Sequence, residues 1–98
     1  MVSGSALERF AARLIAQRAY LAEAARLAAA IPGPIFEIGL GKGRTFDHLR
    51  RLMPAREIWC FDRELHAPPE ESPSPDRLVL GEIQETLPAL AQRLGVKA

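Results

Sequence analysis

Three glycines at alternate positions constrain the fold of this chain more than any other feature. Residues 36–48 read FEIGLGKGRTFDH, so Gly39, Gly41 and Gly43 directly follow a short apolar run. Glycine loses more backbone freedom on folding than any other residue and weakens the interior of a strand or helix. A cluster of glycines is useful where a buried strand ends in a sharp turn and the backbone must approach another group closely. We therefore interpret this segment as a strand-to-helix turn.

The remaining sequence predicts a small α/β domain of 98 residues, which suffice for one modest core. An Ala-, Leu- and Arg-rich stretch from residue 6 to about 30 has helical periodicity, and Ser5 with Glu8 matches a capping box. Pro32 to Pro34 stop this helix. Further helices are predicted at 45–53 and 87–94, and strands at 35–38, 58–61 and 78–80. A proline-rich stretch, residues 66–76, is predicted to be a loop.

Several details of these elements are specific enough to test. We expect the second helix to present one apolar side formed by Phe46, Leu49, Leu52 and Met53. The strands at 58–61 and 78–80 are both expected to be buried. We expect Pro88 to be tolerated in the first turn of the last helix, and Gly95 to end that helix.

The alternation of these elements predicts a Rossmann-like parallel sheet with flanking helices and three strands. We divide the chain into a leading helix, residues 1–33, and a Rossmann-like part, residues 34–98. In open α/β sheets of this kind, ligands bind at the carboxyl ends of the strands. The glycines follow the first strand and so lie at that edge. Gly43 is expected to let the next helix pack closely on the sheet.

Composition excludes several classes of function. Thirteen basic and twelve acidic side chains give a net charge of +1, which offers no electrostatic footprint for nucleic acid or an anionic membrane. One cysteine, Cys60, with His48 and His66 cannot form a metal cluster, and the lone thiol fits a reducing compartment. We expect Cys60 and Trp59 to be core residues and both histidines to be non-catalytic. No apolar run spans a bilayer and no signal peptide is evident, so a cytoplasmic location is expected.

Carboxylates follow or lie within the predicted strands at informative positions. Asp62 closes the second strand, 23 residues after Gly39, where such a side chain can accept hydrogen bonds from ribose hydroxyls. Glu82 follows the third strand and could accept from the exocyclic amine of a base, with Ile83 packing on the base. Glu37 stands two residues before the first glycine and suits a cationic ligand better than a pyrophosphate. The glycine spacing also departs from the dinucleotide pattern G-x-G-x-x-G.

The stretch from Glu37 to Gly43 resembles the first motif of the class I S-adenosylmethionine-dependent methyltransferases, acid-x-G-x-G-x-G. The segments GRTFDHLR, WCFDR and GEIQETLPAL are similar to a small bacterial methyltransferase family with a leading helix. The resemblance covers nearly the whole chain, most strongly from Pro34 to Leu94. It implies a methyltransferase that uses S-adenosylmethionine and, by default, a small-molecule acceptor.

The resemblance also implies roles for individual residues. Glu37 would lie near the methionine amino group, and Gly39 and Gly41 would let the loop pass under the methionine portion. Asp62 would hold the ribose, with Arg63 beside it. The adenine would be bordered by Glu82, where the family more often has Asp, and by Ile83. The predicted cofactor-binding set is completed by Leu40, Gly43 and Thr45. No catalytic residue and no metal ligand is implied.

Three function hypotheses remain open at this point. The first is a methyltransferase or a truncated copy, the second is a non-catalytic module that binds S-adenosylmethionine or its demethylated product, and the third is a fragment of an NAD-binding oxidoreductase. The complete methyltransferase fold has seven strands, so these residues resemble its cofactor-binding half. The first strand, 35–38, would then have an unpaired apolar edge, which predicts self-association or membership of a longer protein.

Overall fold

A computed structural model describes residues 4–96. The chain divides into two compact units, Met1–Pro32 and Gly33–Ala98. In the first unit, helix α1 comprises Ala6–Ala28. It begins with the predicted capping box: the Glu8 amide donates to Ser5 Oγ at 3.1 Å, and the Ser5 amide donates to Glu8 Oε1 at 2.8 Å. None of the residues of α1 is buried.

The second unit contains a three-stranded parallel sheet in the order β1-β2-β3. The strands are β1 (Ile35–Ile38), β2 (Ile58–Asp62) and β3 (Leu78–Leu80). The ladder continues past the strand ends, since the Gly39 amide donates to the Phe61 carbonyl at 2.7 Å and the Gly81 amide donates to the Asp62 carbonyl at 3.0 Å. The predicted α/β architecture with parallel strands is therefore confirmed, and the carboxyl ends of all three strands meet.

The core is centred on β2, whose first four residues are all buried as predicted. On one face, Trp59 and Phe61 pack with Leu90 of helix α3, Ile83–Leu94. On the other face lie the side chains of Ile58 and Cys60, because successive residues of a strand point to opposite sides. Helix α3 thus covers one face of the central strand, and helix α2, Arg44–Leu52, follows β1 along the chain.

Strand β3 is less buried than expected. Leu78 and Val79 are only half-buried, and Leu80 is 50% exposed. The prediction of a third buried strand is wrong because β3 lies at an edge of the sheet. Apolar character along three residues does not distinguish a central strand from an edge strand.

Helix α2 confirms the predicted element with bounds shifted by one residue. Phe46, Leu49 and Met53 are buried, but Leu52 is 39% exposed, so the expected four-residue apolar side is wrong at one position. At about 100° per residue, Leu52 is rotated away from the stripe that the other three share.

Helix α3 begins four residues before the predicted start. The carbonyl of Glu82 accepts from the amides of Glu85 and Thr86, both at 3.0 Å, so the helix begins directly after Glu82. Pro88 therefore lies inside the helix and not in its first turn. Gly95, with φ of 72°, ends the helix as predicted.

The predicted loop at 66–76 is irregular and includes two short 3₁₀ turns, Pro69–Glu71 and the start of Pro75–Arg77. The hydroxyl of Ser72 donates to the carbonyl of Ala67 at 3.2 Å and so draws the loop together. Within the part of the chain that is described, no helix is both long and apolar enough to cross a membrane.

Candidate functional site at the carboxyl edge of the sheet

The glycine turn leaves open space above its backbone. Gly39 and Gly41 have φ of 84° and 55°, values that side chains other than glycine rarely adopt. A Cβ atom built at either position meets no heavy atom within 4 Å. Packing inside the protein therefore does not explain these two glycines, and a ligand can approach the backbone at both.

Gly43 has a different environment from the other two glycines. A Cβ atom at this position would lie 2.1 Å from the carbonyl oxygen of Glu71 and 3.0 Å from Cβ of Ala67. The expectation that Gly43 lets the helix pack on the sheet is wrong, because the close neighbour is the loop between β2 and β3. The sequence could not reveal this contact, since the two segments are 28 residues apart.

Asp62 is anchored against the glycine turn. Its Oδ2 accepts from the Gly41 amide at 2.9 Å, and its Oδ1 accepts from the Arg63 amide at 2.7 Å. These bonds, that of Gly41 foremost, lower the pKa of the Asp62 carboxyl from its usual value because they stabilise the charged form. The carboxylate is thus held ionised in one orientation, and each oxygen retains further acceptor capacity.

A cleft of about 160 Å³ opens between the ends of the three strands. Five of the residues that line it were predicted from the sequence, namely Gly39, Asp62, Arg63, Glu82 and Ile83. The sequence interpretation missed Ile38, Phe61 and Gly81. The only sequence signal for Gly81 was its position between a predicted strand and Glu82. In the structure, Gly81 has φ of 139° and follows the end of β3.

Two charged side chains face each other at this cleft. Arg63 Nε lies 3.3 Å from Glu82 Oε1, and both side chains are more than half exposed. Glu82 occupies the N-cap position of α3, yet its side chain makes no capping hydrogen bond. Its carboxylate is therefore directed to Arg63 and the cleft instead of to the helix.

The other predicted residues lie outside the cleft lining. Glu37 is half-buried, and the Cys60 thiol donates to its Oε2 at 3.7 Å. Burial raises the pKa of the Glu37 carboxyl, and burial together with this carboxylate raises the pKa of the Cys60 thiol to about 12. The side chain of Leu40 is buried in the core, so only its backbone can serve a ligand. Thr45 lies in the first turn of α2.

A second, polar depression of about 310 Å³ adjoins the cleft through Asp62 and Arg63. His66 lines it, with Nε2 3.3 Å from Oε2 of Glu64. His48 lies on α2 and does not line either space. Among residues 4–96, no cluster of His, Cys, Asp and Glu side chains is suited to hold a metal ion.

The site combines an apolar floor with two carboxylates at separate strand ends. Ile38 and Ile83 offer apolar surface, and Asp62 and Glu82 offer acceptors for hydroxyl or amine donors. A planar base joined to a sugar has this distribution of apolar and donor groups. The cleft is smaller than the roughly 300 Å³ at which pockets for whole ligands begin, so it suits one part of a larger molecule that extends over the glycine turn.

Comparisons with known proteins identify the family of this chain. A solved structure described as an S-adenosyl-L-methionine methyl transferase from Silicibacter pomeroyi DSS-3 is 43% identical, with a TM-score of 0.82 over 93% of this chain. The match spans 56% of the length of that protein. No curated protein sequence matches significantly. The family described as S-adenosyl-L-methionine methyltransferase matches residues 4–98. The chain therefore belongs to the S-adenosyl-L-methionine methyltransferase family.

Proposed function

We propose that this chain binds S-adenosylmethionine at the carboxyl edge of its sheet and serves an enzyme that methylates a small molecule. One observation carries the proposal: the Asp62 carboxylate is fixed by the Gly41 amide beside two glycines whose Cβ positions are open. Family membership supports the choice of cofactor. The matched methyl transferase is longer than this chain, so the activity of the whole protein is part of the proposal.

The residues at this edge fit the adenosyl group. Asp62 would accept from the ribose hydroxyls with the acceptor capacity that Gly41 and Arg63 leave. Glu82 would accept from the exocyclic amine of adenine, and Ile83 would cover a face of the base. Because Glu is longer than Asp by one methylene, the Arg63 contact would help to fix the position of the Glu82 carboxylate.

The methionine part of the cofactor would lie over the glycine turn. Gly39 and Gly41 would give the close approach, and the backbone of Leu40 would border it. Gly43 and Thr45 would maintain the shape of the turn where α2 begins. Glu37 would favour the ammonium group by its negative charge, directly or through water, since its side chain does not line the cleft.

When bound, the cofactor supplies a methyl group that its sulfonium has already activated. The described residues would then act by positioning, with Asp62 and Glu82 holding the adenosyl group. We assign no proton acceptor among residues 4–96. The near-neutral net charge of +1 favours a small-molecule acceptor over nucleic acid.

Thermal unfolding with three ligands tests the cofactor assignment. S-adenosylmethionine and its demethylated product should each stabilise the protein, by about 2.7 kcal/mol at a hundred times the dissociation constant. NAD should not. Stabilisation by NAD alone would contradict the proposal and favour the oxidoreductase alternative. Product formation from S-adenosylmethionine with candidate acceptors then separates an enzyme from a non-catalytic binding module.

Asp62→Ala tests the ribose contact. We expect at least about a tenfold loss of affinity for S-adenosylhomocysteine, because a hydrogen bond to a charged group contributes roughly 1.5–3 kcal/mol. Asp76→Ala is the matched control, since Asp76 is an exposed carboxylate that does not line the cleft. Calorimetric titration measures both variants. Equal affinities of Asp62→Ala and the unchanged protein would show that the ribose assignment is wrong.

We also propose homo-association along the free edge of β1 and a cytoplasmic location. Strand β1 is an edge of the described sheet, and Cys60 is a buried free thiol. The free edge supports pairing with a second copy. The lone reduced cysteine supports a reducing compartment.

A further inference from the structure

A larger cavity lies on the α2 side of the sheet, away from the carboxyl edge. Its volume is about 380 Å³, more than twice that of the cleft and within the roughly 300–1,000 Å³ typical of small-molecule sites. Its lining includes the guanidinium-bearing residues Arg50, Arg56 and Arg77, together with Phe46, Glu57 and Ser74. We name it the arginine cavity. It shares no lining residue with the cleft.

The three arginines reach this cavity from separate elements. Arg50 comes from α2, Arg56 from the loop before β2, and Arg77 from the turn that precedes β3. None of the three belongs to the cofactor-binding set that the sequence predicts. Three cations that converge from three elements form an arrangement that depends on the tertiary structure and differs from charges on one solvated helix face.

Aromatic rings hold two of the guanidinium groups. Cζ of Arg50 lies 5.1 Å from the centroid of the Phe46 ring, and Cζ of Arg77 lies 4.6 Å from that of Trp59. Because contact with a ring already restricts a guanidinium group, it loses little further conformational freedom when it binds a ligand. The Arg56 side chain is likewise fixed, because its Nε and Nη2 donate to the Gly33 carbonyl at 3.0 and 2.6 Å.

Hydrogen bonds within the protein use only some of the N–H donors of Arg50 and Arg77. Arg50 directs Nε and Nη2 to Asp47 and to the Glu70 carbonyl. Its Nη1 makes no further hydrogen bond to the residues described here. Arg77 directs Nη1 to Asp76 and Nη2 to Glu57, which leaves its Nε without a bond inside residues 4–96. Planar N–H donors of this kind match the oxygen atoms of a phosphate group.

The local charge favours an anion. The guanidinium groups of Arg50 and Arg77 pair with the carboxylates of Asp47, Glu57 and Asp76. Of these carboxylates, only that of Glu57 lines the arginine cavity, against the three lining guanidinium groups. We propose that the arginine cavity is a second binding site, separate from the cofactor cleft, for a small ligand that carries a phosphate group.

Calorimetric titration with inorganic phosphate and pyrophosphate, at constant ionic strength in chloride buffer, tests this proposal. We expect both ions to bind, and Arg50→Gln to weaken binding by at least about tenfold, since a charge-assisted hydrogen bond is lost. Arg51→Gln is the matched control: it removes the same charge from the next residue of α2, is 71% exposed and does not line the cavity. It should change affinity by less than about twofold.

Further titrations test whether phosphate binds in the arginine cavity or elsewhere. Saturating S-adenosylhomocysteine should leave phosphate affinity unchanged, whereas competition would place the anion in the cleft and overturn the proposal. Absence of phosphate binding, equal losses in Arg50→Gln and Arg51→Gln, or equally tight binding of chloride would also overturn it. If Arg50→Gln does not fold, as circular dichroism would show, Arg77→Gln replaces it with the same expected loss.

Discussion

At the scale of single residues, the three glycines of one motif have two different roles. Gly39 and Gly41 adopt positive φ beneath open space, whereas Gly43 contacts the loop through Ala67 and Glu71. The same residue type therefore leaves open space at two positions and allows internal packing at the third. This division has measurable consequences for stability and for binding.

Gly43→Ala should destabilise the protein by about 3 kcal/mol, because left-handed backbone strain of about 1–2 kcal/mol is added to an overpacking cost of similar size. Gly39→Ala is the matched comparison. Its φ of 84° is almost the same as the 83° of Gly43, but its Cβ meets only open space, so strain alone should cost about 1–2 kcal/mol. Urea unfolding of the ligand-free variants measures both. Equal losses would contradict the contact between Gly43 and the loop.

At the scale of elements, helix α3 contains a conflict between sequence and structure. Pro88 is the sixth residue of the helix, where its ring nitrogen cannot donate a hydrogen bond to the preceding turn. The helix nevertheless forms because Ile83, Leu87, Leu90 and Leu94 pack on the sheet. Tertiary packing thus outweighs a local preference for ending the helix.

Pro88→Ala should raise the free energy of unfolding by about 1–3 kcal/mol, since proline in a helix interior costs roughly 3 kcal/mol and part of this is offset by a more flexible unfolded chain. Pro75→Ala is the control, because Pro75 begins a 3₁₀ turn, where its missing amide is tolerated. Urea unfolding distinguishes the two substitutions. A gain in Pro75→Ala that equals the gain in Pro88→Ala would contradict this explanation.

At the scale of the whole molecule, β1 is an edge of the sheet on which the cofactor proposal depends. The amides of Ile35 and Gly39 donate towards β2, so the alternation of the ladder directs the amides of Phe36 and Ile38 to the free edge. Ile38 is also 55% exposed. An apolar edge with unsatisfied donors is a template for pairing with another strand.

Ile38→Pro should reduce self-association, because it removes a donor on the free edge and leaves the β1-β2 hydrogen bonds in place. Ile38→Val is the control, since it keeps the amide and a β-branched side chain. Size-exclusion chromatography with light scattering should show the species of Ile38→Pro shifted to the monomer mass, and that of Ile38→Val unchanged. If the protein without any substitution is monomeric, association through this edge is contradicted.

The sequence alone predicted much of the carboxyl edge of the sheet, where the cleft lies. Alternating apolar segments indicated the parallel sheet, and the glycines with Asp62 and Glu82 indicated where a ligand binds. These predictions depend on local signals: a short apolar run predicts a strand, glycine predicts a turn, and parallel topology brings carboxyl ends together. Five residues of the predicted set line the cleft as a result.

By itself, the sequence determined the type and order of the elements, because hydrophobic periodicity and turn residues act over a few positions. Only the tertiary structure decided which strand is central, that α3 continues through Pro88, that Gly43 contacts the loop and that three distant arginines share a cavity. These features are set by contacts between segments far apart in the chain. Their energies are sums over packed neighbours, which no local pattern records.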